Sequence, residues 1–359
     1  MRMQKNLLSL AVASSLCAMS YSVSAADLKP TLYGDLALAA TYTTKSTSSG
    51  NASASLSDNL SLLGVKGDAA VLGDAKFFYD FNAAFDMTAG GSKPSTHLGM
   101  IGVDSPYGTV SAGRDHGLYN DLVDGSIYQT NWFFAPGMSA QYVDKAIKYV
   151  SPSLGGLKVG VQAFDIGKDS TTGKTHNNYV AAVNYAVDGL TLGAGYTSYA
   201  DYSDNGKFTA ASDQNQFAEA TNTYSGEVLK HKAGVSVGYT MGKMGLVLAD
   251  TMFKPADTGA QNTKSINTVM VTGSYAVTEM VSLVANVSST SQSDDGVNGK
   301  KEGNIVTLMA SYVPADNLYF SVELQNASKK ANASGLTGTL SSGGDKSTTG
   351  VALGATYNF

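Results

Sequence analysis

The side chains capable of acid–base or nucleophilic chemistry are few and scattered along the chain. The four histidines are His97, His116, His176 and His231, and only His116 has an acidic neighbour in sequence, Asp115. Hydrolysis by a Ser/His or Asp/His constellation needs a nucleophile held against a base, and none of these histidines lies in a nucleophile motif. The sequence therefore predicts no enzyme, no catalytic residue and no cofactor.

Two groups of acidic and amide side chains could bind divalent cations. They are Asp201, Asp204 and Asn205 in one stretch and Asp294, Asp295 and Glu302 in another. Neither group has the spacing of a recognised calcium loop. We therefore predict no metal site and solvated carboxylates, with a bridge to lipopolysaccharide as the alternative.

One dense aromatic cluster, Trp132-Phe133-Phe134, contains the only tryptophan of the chain. Aromatic rings that line a pore can stack on sugar rings, which would favour a carbohydrate channel. The simpler interpretation, which we prefer, is that the three rings anchor a loop against an inner wall.

The elements that would position these residues are strands. The recurring unit is a segment of about ten residues in which apolar residues alternate with small or polar ones. In the last segment Val351, Leu353, Ala355 and Tyr357 form one face, and residues 32–42 form a similar segment near the start. Such strands belong either to a soluble sandwich or to a membrane barrel whose small, polar face lines a wet lumen.

The connections favour the barrel, because short turns alternate with long polar loops. The short turns are expected near 68–75, 104–108, 150–156, 186–189, 240–244, 276–280 and 313–317, and the long loops near 43–58, 86–95, 115–145, 165–177, 199–231, 253–266, 288–303 and 326–349. Strands that enter short turns end in tyrosines such as Tyr185, Tyr275 and Tyr312, as expected of an aromatic girdle at a membrane interface. The count predicts a sixteen-stranded antiparallel transmembrane β-barrel, an all-β fold, since single-chain bacterial barrels have an even number of strands.

The first 25 residues have the pattern of an export signal. Arg2 and Lys5 give a positive start, residues 7–19 are mostly apolar, and Val23-Ser24-Ala25 is a small-residue cleavage site. We predict a signal peptide over residues 1–25 and one barrel domain over residues 26–359.

Loss of the signal changes the composition of the chain. It removes the only cysteine, so disulfides and thiolate metal sites are excluded. It also removes two basic residues, which makes the net charge of −5 more negative by two. Nucleic acid is therefore not an expected partner.

Five ordered motifs carry a family resemblance. They are Leu32-Tyr33-Gly34, residues 63–68 (LGVKGD), residues 108–114 (GTVSAGR), residues 148–152 (KYVSP) and the terminal Tyr357-Asn358-Phe359. In this order and spacing the sequence resembles the general diffusion porins of the Gram-negative outer membrane over essentially the whole mature chain. The resemblance implies a homotrimer of sixteen-stranded barrels whose third external loop folds into the lumen. It also implies that Tyr357 and Phe359 form the signal read by the barrel-assembly machinery.

The resemblance further implies a charged constriction. Arg114, the only arginine left after signal cleavage, would belong to a basic cluster on the wall and face Asp121 and Asp124 on the third loop, with Asp115 a weaker candidate. Fixed charges of opposite sign across a narrow, wet passage orient dipolar solutes and exclude apolar ones. The alternative is that Arg114 pairs with a loop carboxylate and holds the loop in place.

Most of the family's basic cluster is missing from this sequence. Leu62, Tyr142, Asp35 and His97 stand where relatives carry arginine or lysine, and Lys66, Lys76, Lys145 and Lys148 are expected to supply part of the lost charge. The sequence thus predicts passive diffusion of ions and small hydrophilic solutes with a weak cation preference. A channel selective for a sugar or organic anion and a surface adhesin without a pore are the alternatives. Expected partners are further copies of the chain, outer-membrane lipid and lipopolysaccharide.

Overall fold

The computed structural model describes residues 30–44, 51–90, 93–126, 132–133, 142–168, 175–199, 223–224, 227–255, 265–293, 301–329 and 347–359. The predicted signal peptide and Phe134 lie outside these residues. Within the described ranges, no helix is long and apolar enough to cross a membrane.

The described chain is almost entirely β-strand. The elements are β1 (Thr31–Thr43), β2 (Ser53–Asp58), β3 (Ser61–Leu72), β4 (Ala75–Phe85), β5 (Ser95–Ser105), β6 (Gly108–His116), α1 (Leu118–Leu122), a 3-10 turn (Asp124–Ser126), β7 (Tyr142–Val150), β8 (Leu157–Lys168), β9 (Thr175–Val187), β10 (Leu190–Ser198), β11 (Thr223–Tyr224), β12 (Glu227–Met241), β13 (Met244–Pro255), β14 (Ile266–Ala276), β15 (Val281–Gln292), β16 (Lys301–Ala315), β17 (Leu318–Ala327) and β18 (Thr348–Asn358).

The strands form one closed antiparallel barrel in which each strand pairs with its neighbours along the chain. Closure comes from β1 and β18, whose register runs from Asp35 opposite Asn358 to Thr43 opposite Gly350. Two of the eighteen segments add no new wall position, because β2 and β3 both pair with β1 and β11 pairs only with the start of β12. The wall therefore has sixteen strands, which confirms the predicted fold class.

The alternation in the sequence becomes the two faces of the wall. In β13 the residues that point outward, among them Leu246, Leu248 and Met252, are exposed, whereas the intervening Val247 and Ala249 are buried. This pattern of burial is the reverse of that in a soluble protein, because the apolar side chains lie on the outer surface of the barrel. Such a surface is stable only in contact with hydrocarbon.

The inward face is lined by polar side chains that bond across neighbouring strands. The Asn286 amide donates to the Thr272 hydroxyl at 2.6 Å, and the Gln325 amide donates to the Thr307 hydroxyl at 2.9 Å. All four of these side chains are buried. Because buried polar groups need partners, this cross-strand pairing makes a polar interior compatible with a stable wall.

All seven short turns fall inside the predicted windows, and the tyrosines Tyr239, Tyr275 and Tyr312 beside them are exposed on the outward face. The prediction was wrong at the other rim, where strands are longer than expected. Residues 53–58 were assigned to the first loop but form β2, and β15 continues to Gln292 inside a predicted loop. At this rim both faces are Ser- and Thr-rich, so the hydrophobic alternation ends before the backbone pairing does.

Candidate functional site

The segment that follows β6 lies against the inner wall. The Leu118 N–H donates to Gln162 Oε1 on β8 at 2.8 Å, and the Ser236 hydroxyl on β12 donates to the Val123 carbonyl at 2.7 Å. Gln162 and Ser236 are both buried and inward-facing. Helix α1 and the 3-10 turn are thus fastened to the wall from β8 to β12.

Glycines on the wall make room for this segment. A Cβ added to Gly160 would lie 2.6 Å from the Leu118 side chain, and one added to Gly193 would lie 2.8 Å from the Leu122 carbonyl oxygen. Real Cβ atoms do not approach other heavy atoms so closely, so the close contact between helix and wall requires glycine at these positions.

A buried ion pair fixes the 3-10 turn. Lys232 Nζ on β12 lies 3.7 Å from Asp124 Oδ2, and the two side chains are 1% and 2% exposed. The ammonium group also lies 4.1 Å from the Tyr119 ring centroid and 5.2 Å from that of Phe253. Burial, followed by the negative charge of Asp124, raises the pKa of the Tyr119 hydroxyl. Asp124, expected at the constriction, is therefore placed at the contact between turn and wall.

A second lysine joins helix α1 to the end of β6. Lys148 Nζ on β7 lies 3.0 Å from Asp115 Oδ1 and 3.2 Å from Asp121 Oδ2. Asp115 is fully buried and also accepts a short hydrogen bond from the Ser111 hydroxyl, whereas Asp121 is about one-third exposed. Of the acids expected at the constriction, Asp121 is the one that keeps a solvent-accessible carboxylate.

Arg114 bridges three adjacent strands of the wall. Its guanidinium donates to the His97 carbonyl on β5 at 2.7 Å and pairs with Asp144 on β7. The pairing partner thus comes from the returning strand, although residue 144 was assigned to the third loop. The ion-pair partner of Arg114 among the described residues is Asp144, whereas Asp121 pairs with Lys148 and Asp124 with Lys232.

Three rings in tilted contact lie where the resemblance implied a row of basic residues. The Tyr142 ring centroid lies 4.1 Å from that of His97 and 4.8 Å from that of His116. His97 is buried, and its Nδ1 is hydrogen-bonded to Asn82 at 3.1 Å. The Asn82 amide in turn donates to the Tyr33 hydroxyl at 2.9 Å. A connected polar and aromatic strip therefore runs along the inner wall from β1 to β7.

The aromatic cluster contacts a different part of the wall. The backbone N–H groups of Trp132 and Phe133 donate to the fully buried carboxylate of Glu323 on β17, each at 3.0 Å. Both rings are buried, and they pack with Ala39, Ile305, Ala327 and Ala352 of β1, β16, β17 and β18. Because their faces are covered by the wall, these two rings are not available for stacking on a solute.

Comparison with known proteins identifies the family. A family model described as Gram-negative porin matches residues 9–228, more than half of the chain. The chain belongs to the Gram-negative porin family. No functionally curated protein sequence matches this porin significantly.

Three solved structures show the same fold. An anion-selective porin from Comamonas acidovorans is 17% identical, with 92% of this chain and 100% of that chain covered and a TM-score of 0.67. OmpF of Salmonella typhi, in complex with daunomycin, is 14% identical, with 94% and 99% covered and a TM-score of 0.68. OmpT of Vibrio cholerae in its trimer form is 15% identical, with 92% and 99% covered and a TM-score of 0.66. With the family, this fold places the porin in the outer membrane as a β-barrel.

The remaining predicted residues of this porin are dispersed. Lys66 lies 5.0 Å from the Tyr33 ring centroid and Asp35 is half-buried on β1, so both border the strip around Tyr142. Lys76 is exposed beside the short turn that precedes β4, and Lys145 is exposed beside the buried Ala146 on β7. Neither of these two lysines joins the contacts described above.

The two charges that hold the inner segment of this porin, Lys232 and Glu323, were missed by the sequence interpretation. Lys232 precedes the outward-facing Ala233 on β12, and Glu323 follows the outward-facing Val322 on β17. Each is thus a single charged residue at an inward position of an alternating strand. That isolation on the lumen side is the signal that would have found them. Within the described residues, no three His, Cys, Asp or Glu side chains are placed to hold a metal ion.

The C-terminus of this porin closes the barrel. The Gly34 N–H donates to the Phe359 carbonyl at 2.9 Å, and the Phe359 N–H donates to the Gly34 carbonyl at 3.0 Å. The Tyr357 and Phe359 rings are stacked with centroids 6.4 Å apart, and both are exposed. The last residue is therefore paired with the first strand and presents its ring on the outer surface.

Proposed function

We propose that this porin is a passive pore for ions and small hydrophilic solutes, with no catalytic activity and with the third external loop narrowing its lumen. The observation that carries the proposal is the placement of the two described parts of that loop. Residues 118–126 contact β8 to β12, whereas Trp132 and Phe133 contact β16 to β18 and β1. In a ring of sixteen strands these two surfaces lie on opposite sides, which supports a third loop that crosses the lumen.

The proposed pore has a weak cation preference. Each cation fixed near α1 is matched by carboxylates, since Lys148 contacts Asp115 and Asp121, and Lys232 contacts Asp124. Arg114 is likewise paired with Asp144. The inner wall around α1 therefore offers little positive charge without an acidic partner, and a negative field in a narrow passage favours cations. The Comamonas relative is described as anion-selective, and at 17% identity it shares the fold without setting selectivity here.

Single-channel recording with purified protein in planar bilayers tests the proposal. We expect discrete conductance steps. In a salt gradient we expect a reversal potential whose sign indicates selectivity for cations. Correctly folded protein that gives no steps would refute the pore, and an anion-selective reversal potential would refute the preference.

A solute-selective channel is the second candidate, and the aromatic cluster of His97, Tyr142 and His116 favours it. The partly exposed rings of Tyr142 and His116 can contact a planar solute in the lumen. A saturable block of the current by one solute would support this candidate, whereas blocks that scale only with solute size would support general diffusion.

The proposed assembly is a homotrimer, inserted by the barrel-assembly machinery after removal of residues 1–25. The Vibrio neighbour is described in a trimer form, and the exposed, stacked Tyr357 and Phe359 rings are accessible to an assembly factor. An unheated gel should show an oligomer that heat dissociates. Deletion of Phe359 should reduce the amount of inserted protein, whereas wild-type insertion levels would contradict the assembly role.

A further inference from the structure

The lumen wall beside the strip from β1 to β7 carries a carboxylate without a counter-charge. Asp35 on β1 is half-buried, and its register partners are Leu62 on β3 and Asn358 on β18. Neither partner is charged, and no ion pair among the described residues includes Asp35. A half-buried charge without a partner is unfavourable. Asp35 is therefore available to a cation in the lumen.

A chain of hydrogen bonds on the same wall leaves one ring nitrogen unsatisfied. The Tyr33 hydroxyl donates to Asp80, and the Asn82 amide nitrogen donates to the Tyr33 oxygen. The Asn82 carbonyl oxygen is left to face His97 Nδ1 at 3.1 Å, so Nδ1 carries the proton. In a neutral histidine Nε2 is then an acceptor. This Nε2 is buried and has no hydrogen-bond partner among the described residues.

The Tyr142 ring lies over His97 and is itself partly exposed. The two ring centroids are 4.1 Å apart, and the His116 ring flanks Tyr142 on its other side at 4.8 Å. The charged groups close enough to act on the Tyr142 hydroxyl are Asp121, Arg114, Asp35 and Asp80. Carboxylates from α1, β1 and β4 therefore converge on one aromatic ring.

Negative charge is in excess around this ring. The nearby cations are Arg114, Lys148 and Lys66, and the nearby carboxylates are Asp35, Asp80, Asp115, Asp121 and Asp144. Five carboxylates thus face three cations, of which Arg114 and Lys148 are already held in ion pairs. A local field of this sign attracts cationic solutes and repels anions.

The groups left over define an occupant by its chemistry. Asp35 and His97 Nε2 are both hydrogen-bond acceptors, so the occupant must bring N–H donors as well as positive charge. Tyr142 adds an aromatic face, on which a planar cation can stack. A guanidinium group is planar, always charged and has five N–H donors in a fixed arrangement. An ammonium group is a compact charge that is more strongly hydrated, so it suits this wall less well.

We propose that the strip around Tyr142 binds guanidinium-bearing solutes on their way through the lumen. The guanidinium pairs with Asp35 and stacks on the Tyr142 ring, and a turn of that ring lets one N–H reach His97 Nε2. Asp80 and Asp121 contribute negative charge without needing direct contact. The inference rests on the proposed passive pore and names one class of solute for which that pore is selective.

Block of the single-channel current by three matched amino acids tests the solute class. L-Arginine, L-lysine and L-citrulline share their backbone groups. Lysine carries the same charge on an ammonium group, and citrulline replaces the guanidinium by a neutral urea group. Arginine should bind at least about tenfold more tightly than lysine, and citrulline should give no saturable block. Equal affinities for arginine and lysine would overturn the guanidinium class, because charge alone would then be recognised.

Substitutions test the residues. Asp35→Asn should weaken the arginine block at least about tenfold, since a charge-assisted hydrogen bond is lost. Tyr142→Leu should bring the affinity for arginine to the level of that for lysine, since the face for stacking is removed. Asp104→Asn is the matched control. Asp104 lies on the same strand as His97, roughly 23 Å nearer the short turn, where it accepts from the Thr109 hydroxyl at 2.7 Å. This variant should be blocked like wild type.

The outcomes separate the site from the pore. Conductance steps without amino acids show that each variant still forms a pore, and heat-dependent gel mobility with strand-rich circular dichroism shows that it is folded. Calorimetric titration of arginine into the detergent-folded protein measures the same affinity without a current. An arginine affinity within twofold of wild type in Asp35→Asn, or an equal loss in Asp104→Asn, would overturn the site and leave the pore in place.

Discussion

Replacement of Lys232 by methionine should release the inner segment from the wall. Methionine keeps most of the apolar stem, so the change removes the charge and leaves Asp124 buried beside Tyr119. Removing one partner of a buried ion pair costs about 3 to 5 kcal/mol. At 3.7 Å the Lys232–Asp124 contact is long, so we take the lower value. About 3 kcal/mol shifts the equilibrium between the docked and released segment by roughly a hundredfold, since about 1.4 kcal/mol corresponds to a factor of ten.

The assay is single-channel recording in planar bilayers. In the wild type the segment holds the passage at one width, so the open current should be steady. In K232M we expect frequent transitions between conductance levels as the segment leaves and rejoins β12. The matched control is Lys66→Met, which removes a lysine from the inner wall beside Tyr33 that lies outside the contacts of the segment.

A double variant identifies the cause. Asp124→Asn in the K232M background removes the charge that has lost its Lys232 partner, so it should restore part of the steady current. The non-additivity of the two changes measures the coupling between the residues. The reasoning is wrong if K232M and K66M are equally noisy, or if the double variant is noisier than K232M.

Three further predictions concern selectivity and the fit of the inner segment. Asp121→Asn should reduce the cation preference and Arg114→Ser should increase it, as read from reversal potentials in a salt gradient; shifts in the opposite directions would contradict the proposed field. Glu323→Gln replaces hydrogen bonds to a charged acceptor, worth about 1.5 to 3 kcal/mol each, by weaker ones. The segment at Trp132 and Phe133 is then held less firmly, so the mean conductance should rise and the channel should close at lower voltage. Gly193→Ala should disturb the current because its Cβ would meet the segment's backbone, whereas Gly273→Ala, which has open space at the same atom, should leave conductance unchanged.

The barrel was predictable because lipid imposes a strict rule on its outer face. Most outward positions of β13 are apolar, among them Leu246, Leu248 and Met252. Tyrosines mark the boundary of the hydrocarbon at the ends of strands. Where the rule no longer applies, as at β2, the prediction was wrong. Ser and Thr on both faces carry no information about which backbone groups pair.

The contacts of the inner segment were only partly predictable. Asp121 and Asp124 were expected on that segment, and the structure places both there. Lys148 was expected in the basic cluster without a specific partner, and Lys232 was not predicted, because both lie on strands whose facing surfaces depend on barrel closure. The same holds for Glu323, which receives backbone N–H groups from residues almost two hundred positions earlier. The spacing of two residues in the sequence does not predict whether they meet across the lumen, because the curvature of the sheet determines that distance.

Pairing between Gly34 and Phe359 belongs to the last step of folding, the closure of the barrel. β1 keeps one unsatisfied edge until β18 pairs with it. During that interval the chain is an open sheet, and an open edge is a template for pairing with other chains. The unclosed sheet is therefore exposed to pairing with other chains until β18 docks against β1. A truncation that removes the last strand leaves that edge permanently open, whereas an equal truncation within a long loop does not.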